Sequence, residues 1–437
     1  MREAGMGASV GQTSGPDPSS AREKRDGLPT QFKVVLAGES LSLLGAQIST
    51  VMIPLIAVLA LHADELILGI LSAISWFPIV IFGLFAGTII DRSSRWLIMA
   101  ICNIVRAALI SVIPILAVSN TLNLSALLLV AFGVGICNVF FDIAYQTYVP
   151  ELVAADALGK ANSGLEFFRS AAQLIGPLMG GLLATIYRPE FVVSITSITF
   201  LIAFSALLVL PSRFRVRPVN SDSMIGHKRI SFITELRTGL SLVWKSSQIR
   251  LVVLAGAMVN IFAAGVSALF VLFVTRSLGL DSSVFGITVA VAGIGALVGA
   301  LTFRCWANFF HEGTCVAVGL LSTGLGTVLV ALAVFSNRPM VCLTVGQLFV
   351  GYGSPVMNIS LVTLRQRLTP LALLGRVNAS ARVAIMSSLP LGALLVSGLA
   401  EATSTTTAIW VSAVGELAVL LILGPFLLRI KANEPTS

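Results

Sequence analysis

The sequence predicts an all-α membrane protein of twelve transmembrane helices in two parallel six-helix halves. Three observations carry this. Of 437 residues, 56% are hydrophobic and only 11% charged, with a mean hydropathy of +0.95. A soluble chain carries about 25% charged residues, so the length here goes into lipid rather than into aqueous domains. The apolar runs are continuous and reach the roughly 20 residues that cross a bilayer as a helix, whereas a barrel needs alternation. The chain also repeats itself: a shift of about 216 residues lays Gly159-Lys160-Ala161-Asn162 onto Gly375-Arg376-Val377-Asn378, Gly176 onto Gly392 and Ala184 onto Ala400, as in parallel transporter repeats.

Taken in order, residues 1–30 are polar and rich in Gly, Ser and Pro, the composition of a disordered cytoplasmic tail. No apolar core follows the early arginines, so the tail does not read as a signal peptide. The expected spans are 34–61, 66–90, 96–118, 123–148, 160–186, 191–210, 249–274, 283–304, 314–335, 340–363, 376–400 and 406–428. They divide into an N-terminal bundle (31–210), a cytoplasmic linker (211–248), a C-terminal bundle (249–430) and a tail (431–437). The linker starts as the Pro/Arg stretch Pro211–Pro218. It ends as an amphipathic surface helix with Phe232, Leu236, Leu240, Val243 and Trp244 on one face and Arg237 and Lys245 off it.

An even number of spans puts both termini on one side. That side collects 22 Lys and Arg; the other has only Arg188, Arg276 and Arg338. Both termini are therefore expected to be cytoplasmic, in a multi-pass plasma-membrane protein, read as a bacterial inner-membrane one. The net charge of +8 then marks the membrane face and not a nucleic-acid partner. Cys102, Cys137, Cys305, Cys315 and Cys342 all fall in or beside apolar runs without CxxC spacing, so they read as packing residues, with no metal site and no cofactor expected.

One short turn stands out. Asp91, Arg92 and Arg95 crowd the hairpin between the second and third spans, and Gly87 sits one helical turn before Asp91, where another backbone can approach. An acid beside a helix end can pair with an arginine or with a helix N-terminus, which makes a breakable latch. The stretch resembles the loop between helices two and three of the major facilitator superfamily, with Trp96 in place of its second basic residue. Gly176, Pro177, Gly180 and Gly181 in the fifth span resemble the end of that superfamily's antiporter motif. Physically, the proline removes a backbone donor and the glycines let helices cross closely. Tyr145-Gln146-Thr147-Tyr148-Val149-Pro150-Glu151, then Asn162, is similar to the exporter branch that includes enterobactin and macrolide efflux proteins.

The resemblance implies twelve helices, alternating access, and export of a hydrophobic or amphiphilic small molecule (drug, antibiotic or siderophore) in exchange for protons by a monomer in the bilayer. It also implies that Asp142 pairs with Arg92 and that Asp91 caps the helix beginning near Gly375. In this fold spans one, four, seven and ten line the cavity. Their polar and aromatic positions are Gln47, Asn138, Phe141, Tyr145, Asn260, Phe262, Phe270, Met357 and Asn358, walls suited to amphiphilic cargo.

Charges inside lipid cost about 2.5–3.5 kcal/mol each and need a reason. They are Glu39, Arg106, Asp142, Glu166, Arg169, Arg382 and Glu416. Glu39 is the proton-coupling candidate; the alternative is that it pairs with Arg106 or Arg169. Glu166 and Arg169 are spaced to neutralise each other on one helix face. Glu416 receives no role. No GxxxxGK[ST] phosphate loop is present, which argues against a primary pump. The three histidines, His62, His227 and His311, form no HExxH, which argues against a membrane enzyme. Uptake by the same fold is the remaining alternative, and Gly176–Gly181 argues against it.

Overall fold

The computed structural model describes residues 29–91, 93–153, 157–211, 241, 243–370 and 373–430. The expected tails, Arg92 and the linker residues Phe232, Leu236, Arg237 and Leu240 lie outside these residues, as does the Asp91 side chain. In lipid every backbone group must bond within its own segment, and the apolar runs accordingly form helices. They are α1 (Thr30–Leu55), α2 (Glu65–Asp91), α3 (Arg95–Val118), α4 (Leu124–Leu152), α5 (Leu158–Ile186), α6 (Ser194–Leu208), α7 (Ser247–Leu272), α8 (Ser282–Phe309), α9 (Glu312–Leu332), α10 (Pro339–Leu368), α11 (Leu374–Ala402) and α12 (Thr405–Leu428). Side-chain caps set several starts: Ser94 accepts from the Leu97 amide, Asn123 from Ala126, Ser246 from Ile249 and Ser404 from Thr407.

Among the described residues, eleven helical segments are long and apolar enough to cross a membrane. The expected fifth span is the exception. α5 has 29 residues, but Lys160, Glu166, Arg169 and Gln173 interrupt its apolar surface, and all but Lys160 stand exposed in its middle turns.

The internal repeat has a structural counterpart. α5 and α11 are both 29 residues long. Gly176 on α5 lies against Gln47 of α1, and Gly392 on α11 lies against Ile261 of α7. α1 and α7 each run into a π turn, Ile56–Ala60 and Phe273–Ser277, at equivalent places. Within the first half α1 packs on α5 and α6, and α4 on α2 and α3; within the second α7 packs on α11 and α12, and α10 on α8 and α9.

The halves meet through α5 against α8 and α2 against α11. Their contacts concentrate on the side opposite the chain ends, here the far side. There one apolar cluster draws on both halves, with Leu55, Leu68, Ile113 and Phe200 beside Phe270, Phe273, Phe285 and Val330. Ala73 of α2 is buried with Ala268 and Ala393. The seam is backbone-close: a Cβ on Gly181 would lie 2.6 Å from the Gly286 Cα, and one on Gly69 would lie 2.9 Å from the Ala393 carbonyl. Thr405 donates a hydrogen bond to Glu65 across it at 2.8 Å.

On the side of the chain ends the cores separate. Phe32, Ile90, Met99, Tyr148 and Leu207 form one cluster of the first half, and Val252, Leu320, Leu361, Leu364 and Leu427 form another of the second. The facing helix surfaces are open there. Around Gly83 the nearest side chain belongs to its own helix, and no described atom lies within 4 Å of a Cβ built at Gly87. The molecule is closed on the far side and open on the side of its ends. The expected close approach at Gly87 is therefore not made, because α2 and α11 diverge before reaching it.

Candidate functional site

Between the halves lies a cavity of about 960 Å³. α1 contributes Glu39 and Gln47; α4 contributes Asn138, Phe141 and Asp142; α3 contributes Arg106. The second half contributes Phe270 from α7, Phe285 from α8 and Arg382 from α11, with Thr327 and Glu416 from α9 and α12. Apolar side chains from α2, α7 and α8 complete the walls.

Arg106 is the most constrained of these groups. It is 4% exposed. One guanidinium nitrogen donates to the Asn138 side-chain oxygen at 3.0 Å, and another donates to Asn103 one turn earlier on α3. The Phe141 and Phe200 ring centroids lie 4.1 and 4.4 Å from its central carbon. Neutral amides and aromatic faces thus hold a cation whose charge no adjacent carboxylate cancels. Glu39, 7% exposed, and Asp142, exposed toward the cavity, both lie within its electrostatic reach. The alternative of an ion pair from Glu39 to Arg106 or Arg169 is not what the structure holds: no such contact exists, and the Arg188–Glu190 and Arg367–Glu312 pairs lie at helix ends.

On the opposite wall Glu416 is 2% exposed. Its Oε2 accepts from the Thr327 hydroxyl at 3.1 Å. Phe270 and Phe285 stand beside this wall, ring centroids 5.8 Å apart.

Of the expected cavity residues, Gln47, Asn138, Phe141 and Phe270 line the cavity. Five others do not. Tyr145 is buried behind Phe141, with rings stacked at 6.0 Å. The Asn260 amide donates to the Ile385 carbonyl at 3.1 Å, tying α7 to α11. Phe262 sits against Gly415 of α12, and Met357 against Gly319 of α9. Asn358 is exposed but away from the cavity. Tyr145, Phe262 and Met357 lie on expected helices but pack on neighbouring side chains and helices, which one helix's spacing does not reveal, whereas Asn260 is held by its bond to α11 and Asn358 lies on the α10 face of Gln347, nearer the chain ends. Glu416, Thr327 and Arg382 are among the lining residues the cavity list lacks. The first and last were visible as in-span charges, Glu416 without a role; Thr327 lies on a span not expected to line the cavity.

Glu166 and Arg169 are both exposed and form no ion pair with each other. Gly176 and Gly180 pack against Gln47 and Ile48 of α1, while the Pro177 carbonyl and Gly181 meet Gly286 of α8. The motif therefore faces two ways, to its own half and across the seam. At the charged hairpin, Arg95 opens α3, and the Trp96 indole donates to the Leu207 carbonyl at 2.9 Å, fastening α3 to the end of α6. Asp142 stands in the cavity rather than at the hairpin. In the linker, Val243 is buried against Ile249, Val253 and Val377, whereas Trp244 is 54% exposed, so the two do not share a face.

A family model for transmembrane secretion effectors, MFS-type transporters, matches residues 29–436. Macrolide efflux protein A of Streptococcus pyogenes is 21% identical over 381 residues, covering 87% of this chain and 91% of that protein. The multidrug efflux pump Tap of Mycolicibacterium fortuitum is 26% identical over 367 residues, covering 79% and 83%. Among solved structures, the nucleoside transporter NupG superposes with a TM-score of 0.75 at 14% identity, covering 92% of this chain and all of that one. A bacterial homologue of the iron transporter ferroportin, in its inward-facing state, gives 0.69 at 18% identity over 92% of this chain. With twin helical halves around a charged central cavity and a family match over nearly the whole described chain, this protein belongs to the transmembrane secretion effector family of major facilitator transporters.

Proposed function

We propose that the chain exports an amphiphilic small molecule by alternating access, in exchange for protons. The observation that carries this is the composition of one chamber: carboxyl groups at Glu39, Asp142 and Glu416, with Arg106, Arg382 and a few amides and hydroxyls, set among apolar and aromatic side chains. Apolar walls hold an organic cargo with few fixed contacts, and a small set of charged groups orients it. A carboxyl group at this depth accepts a proton or a cation in one orientation of the halves and releases it in the other, which couples the two flows. The efflux-named relatives favour outward movement.

In this reading both termini are cytoplasmic, as the Lys and Arg bias favours. All twelve helices cross a bacterial plasma membrane, α5 included, and the chain works as a monomer. Its rigid bodies are 31–210 and 249–430, joined by the linker. The described state is then open to the cytoplasm, ready to load cargo. Swinging the halves about the far-side seam would bring the α2–α3 hairpin toward α11. There Asp91 would cap the helix near Gly375 and Arg92 would meet Asp142, holding the cytoplasmic mouth shut. Glu39 delivers the proton, with Arg106 and Arg169 biasing its release.

The test uses the full-length protein in proteoliposomes with ethidium and a macrolide as cargo. An imposed proton gradient should drive their movement and an uncoupler should stop it. Glu39→Gln should abolish gradient-driven transport while leaving cargo exchange, and Asp91→Asn should cripple both without affecting insertion. Transport that continues undiminished after the gradient is collapsed would remove proton coupling from the reading.

A further inference from the structure

Glu416 is a buried acid on a helix expected to be scaffold, and the coupling scheme above does not need it. α12 packs on α7, α9 and α11. The charged and titratable groups of those helices are distant from it or at their ends. Arg250 and Arg276 stand at the two ends of α7 and its π turn, Glu312 and Cys315 begin α9, Arg376 and Glu401 belong to the first and last turns of α11, and Arg382 of α11 shares the cavity. None forms an ion pair with Glu416 among the described residues. Opposite it Ala263, Ser267 and Ala268 keep the α7 wall thin, so the cavity reaches through to the carboxyl.

The hydrogen bonds count in a particular way. The Thr327 hydroxyl lies 3.1 Å from Glu416 Oε2 and 3.1 Å from the Thr323 carbonyl. It has one hydrogen for two acceptors. With an ionised Glu416, the hydroxyl serves Oε2 and the Thr323 carbonyl keeps only its helix bond from the Thr327 amide. With a proton on Glu416, the carboxyl donates to Thr327 and Thr327 donates to Thr323, and both bonds are kept. A carboxylate that is 2% exposed, with one neutral hydrogen-bond donor and no ion pair among the described residues, is expensive to keep charged, so the proton fits the arrangement better than its absence.

We propose that Glu416 with Thr327 is a second proton site, in the C-terminal half, filled and emptied from the cavity. It rests on the antiport reading for its purpose, though not for its existence. Each half then carries its own exchangeable carboxyl, Glu39 in the first and Glu416 in the second. Removing Glu416 should lower the number of protons exchanged per cargo by one and leave Glu39-dependent coupling in place.

The site is tested by infrared difference spectroscopy on the full-length protein in liposomes, titrated from mildly acidic to mildly alkaline without cargo. Wild type should show a protonated-carboxyl C=O band that disappears as pH rises and is missing in Glu416→Gln. Thr327→Val, which keeps the acid and removes its hydrogen-bond partner, should move that band; it supplies the measurement if Glu416→Gln fails to fold. A spectrum unchanged by Glu416→Gln, or a band that no pH in the range removes, would overturn the proposal. Reversal potentials under opposed proton and ethidium gradients give the stoichiometry. If wild type shows the band but moves no protons, antiport fails and the site stands. If wild type is coupled and Glu416→Gln has unchanged stoichiometry, the second-site proposal fails and antiport stands.

Discussion

At the residue scale, Arg106 shows how a charge is kept in the membrane without a counter-ion beside it. Two of its nitrogens donate to Asn103 and Asn138, its faces lie on Phe141 and Phe200, and its buried Nε has no partner among the described residues. Asn138→Leu should leave the guanidinium short of an acceptor and cost about 1.5–3 kcal/mol. That should appear as a lower melting temperature in detergent and a loss of transport. Tyr145 should behave oppositely. It is buried and its hydroxyl has no partner among the described residues. Tyr145→Phe should therefore be neutral or should stabilise by up to about 1–3 kcal/mol, with transport intact. A large transport defect in that variant would show that the hydroxyl serves the cargo after all. Arg106 was legible in the sequence, because a charge amid apolar residues announces itself. Its partners were not, since the match between Asn103, Asn138 and Phe200 depends on the register of α3 against α4 and α6.

At the scale of elements, α5 and α11 carry the clearest match between sequence and structure. The 29-residue lengths and the paired glycine contacts on α1 and α7 are what the internal repeat leads one to expect. Periodicity located the helices because lipid demands them; it said nothing about which face of α7 or α10 points inward. Phe262 and Met357, which pack against α12 and α9, were misplaced for that reason. Gly181→Leu should wedge α5 from α8, since its Cβ alone would sit 2.6 Å from the Gly286 Cα. Labelling of single cysteines should then show more far-side opening and less near-side opening, with transport reduced about tenfold or more, equivalent to roughly 1.4 kcal/mol of bias between states. Unchanged labelling would mean the seam gives without cost.

For the whole molecule, the division of the core decides what can move. The far-side cluster is common to both halves, while the opposite clusters belong to one half each. The halves can therefore part on the far side only by dissolving shared contacts, and must make new ones at the other mouth. Glu65→Cys with Thr405→Cys, in a background without the native cysteines, should crosslink readily with a short bifunctional thiol reagent without cargo and arrest transport until the link is cleaved. Those two side chains hydrogen-bond across the seam at 2.8 Å. A crosslink that forms while transport continues would rule out opening at this seam.

The seam's makeup has a consequence for how such a transporter can change over generations. Gly69, Gly181 and Gly286 present bare backbone to the other half, so there is nothing at those positions left to trim. Every substitution there adds bulk, and bulk acts in one direction, prising this side apart. Random drift at these three sites is thus a one-way pressure on the resting orientation, and any compensation must arise elsewhere in the chain.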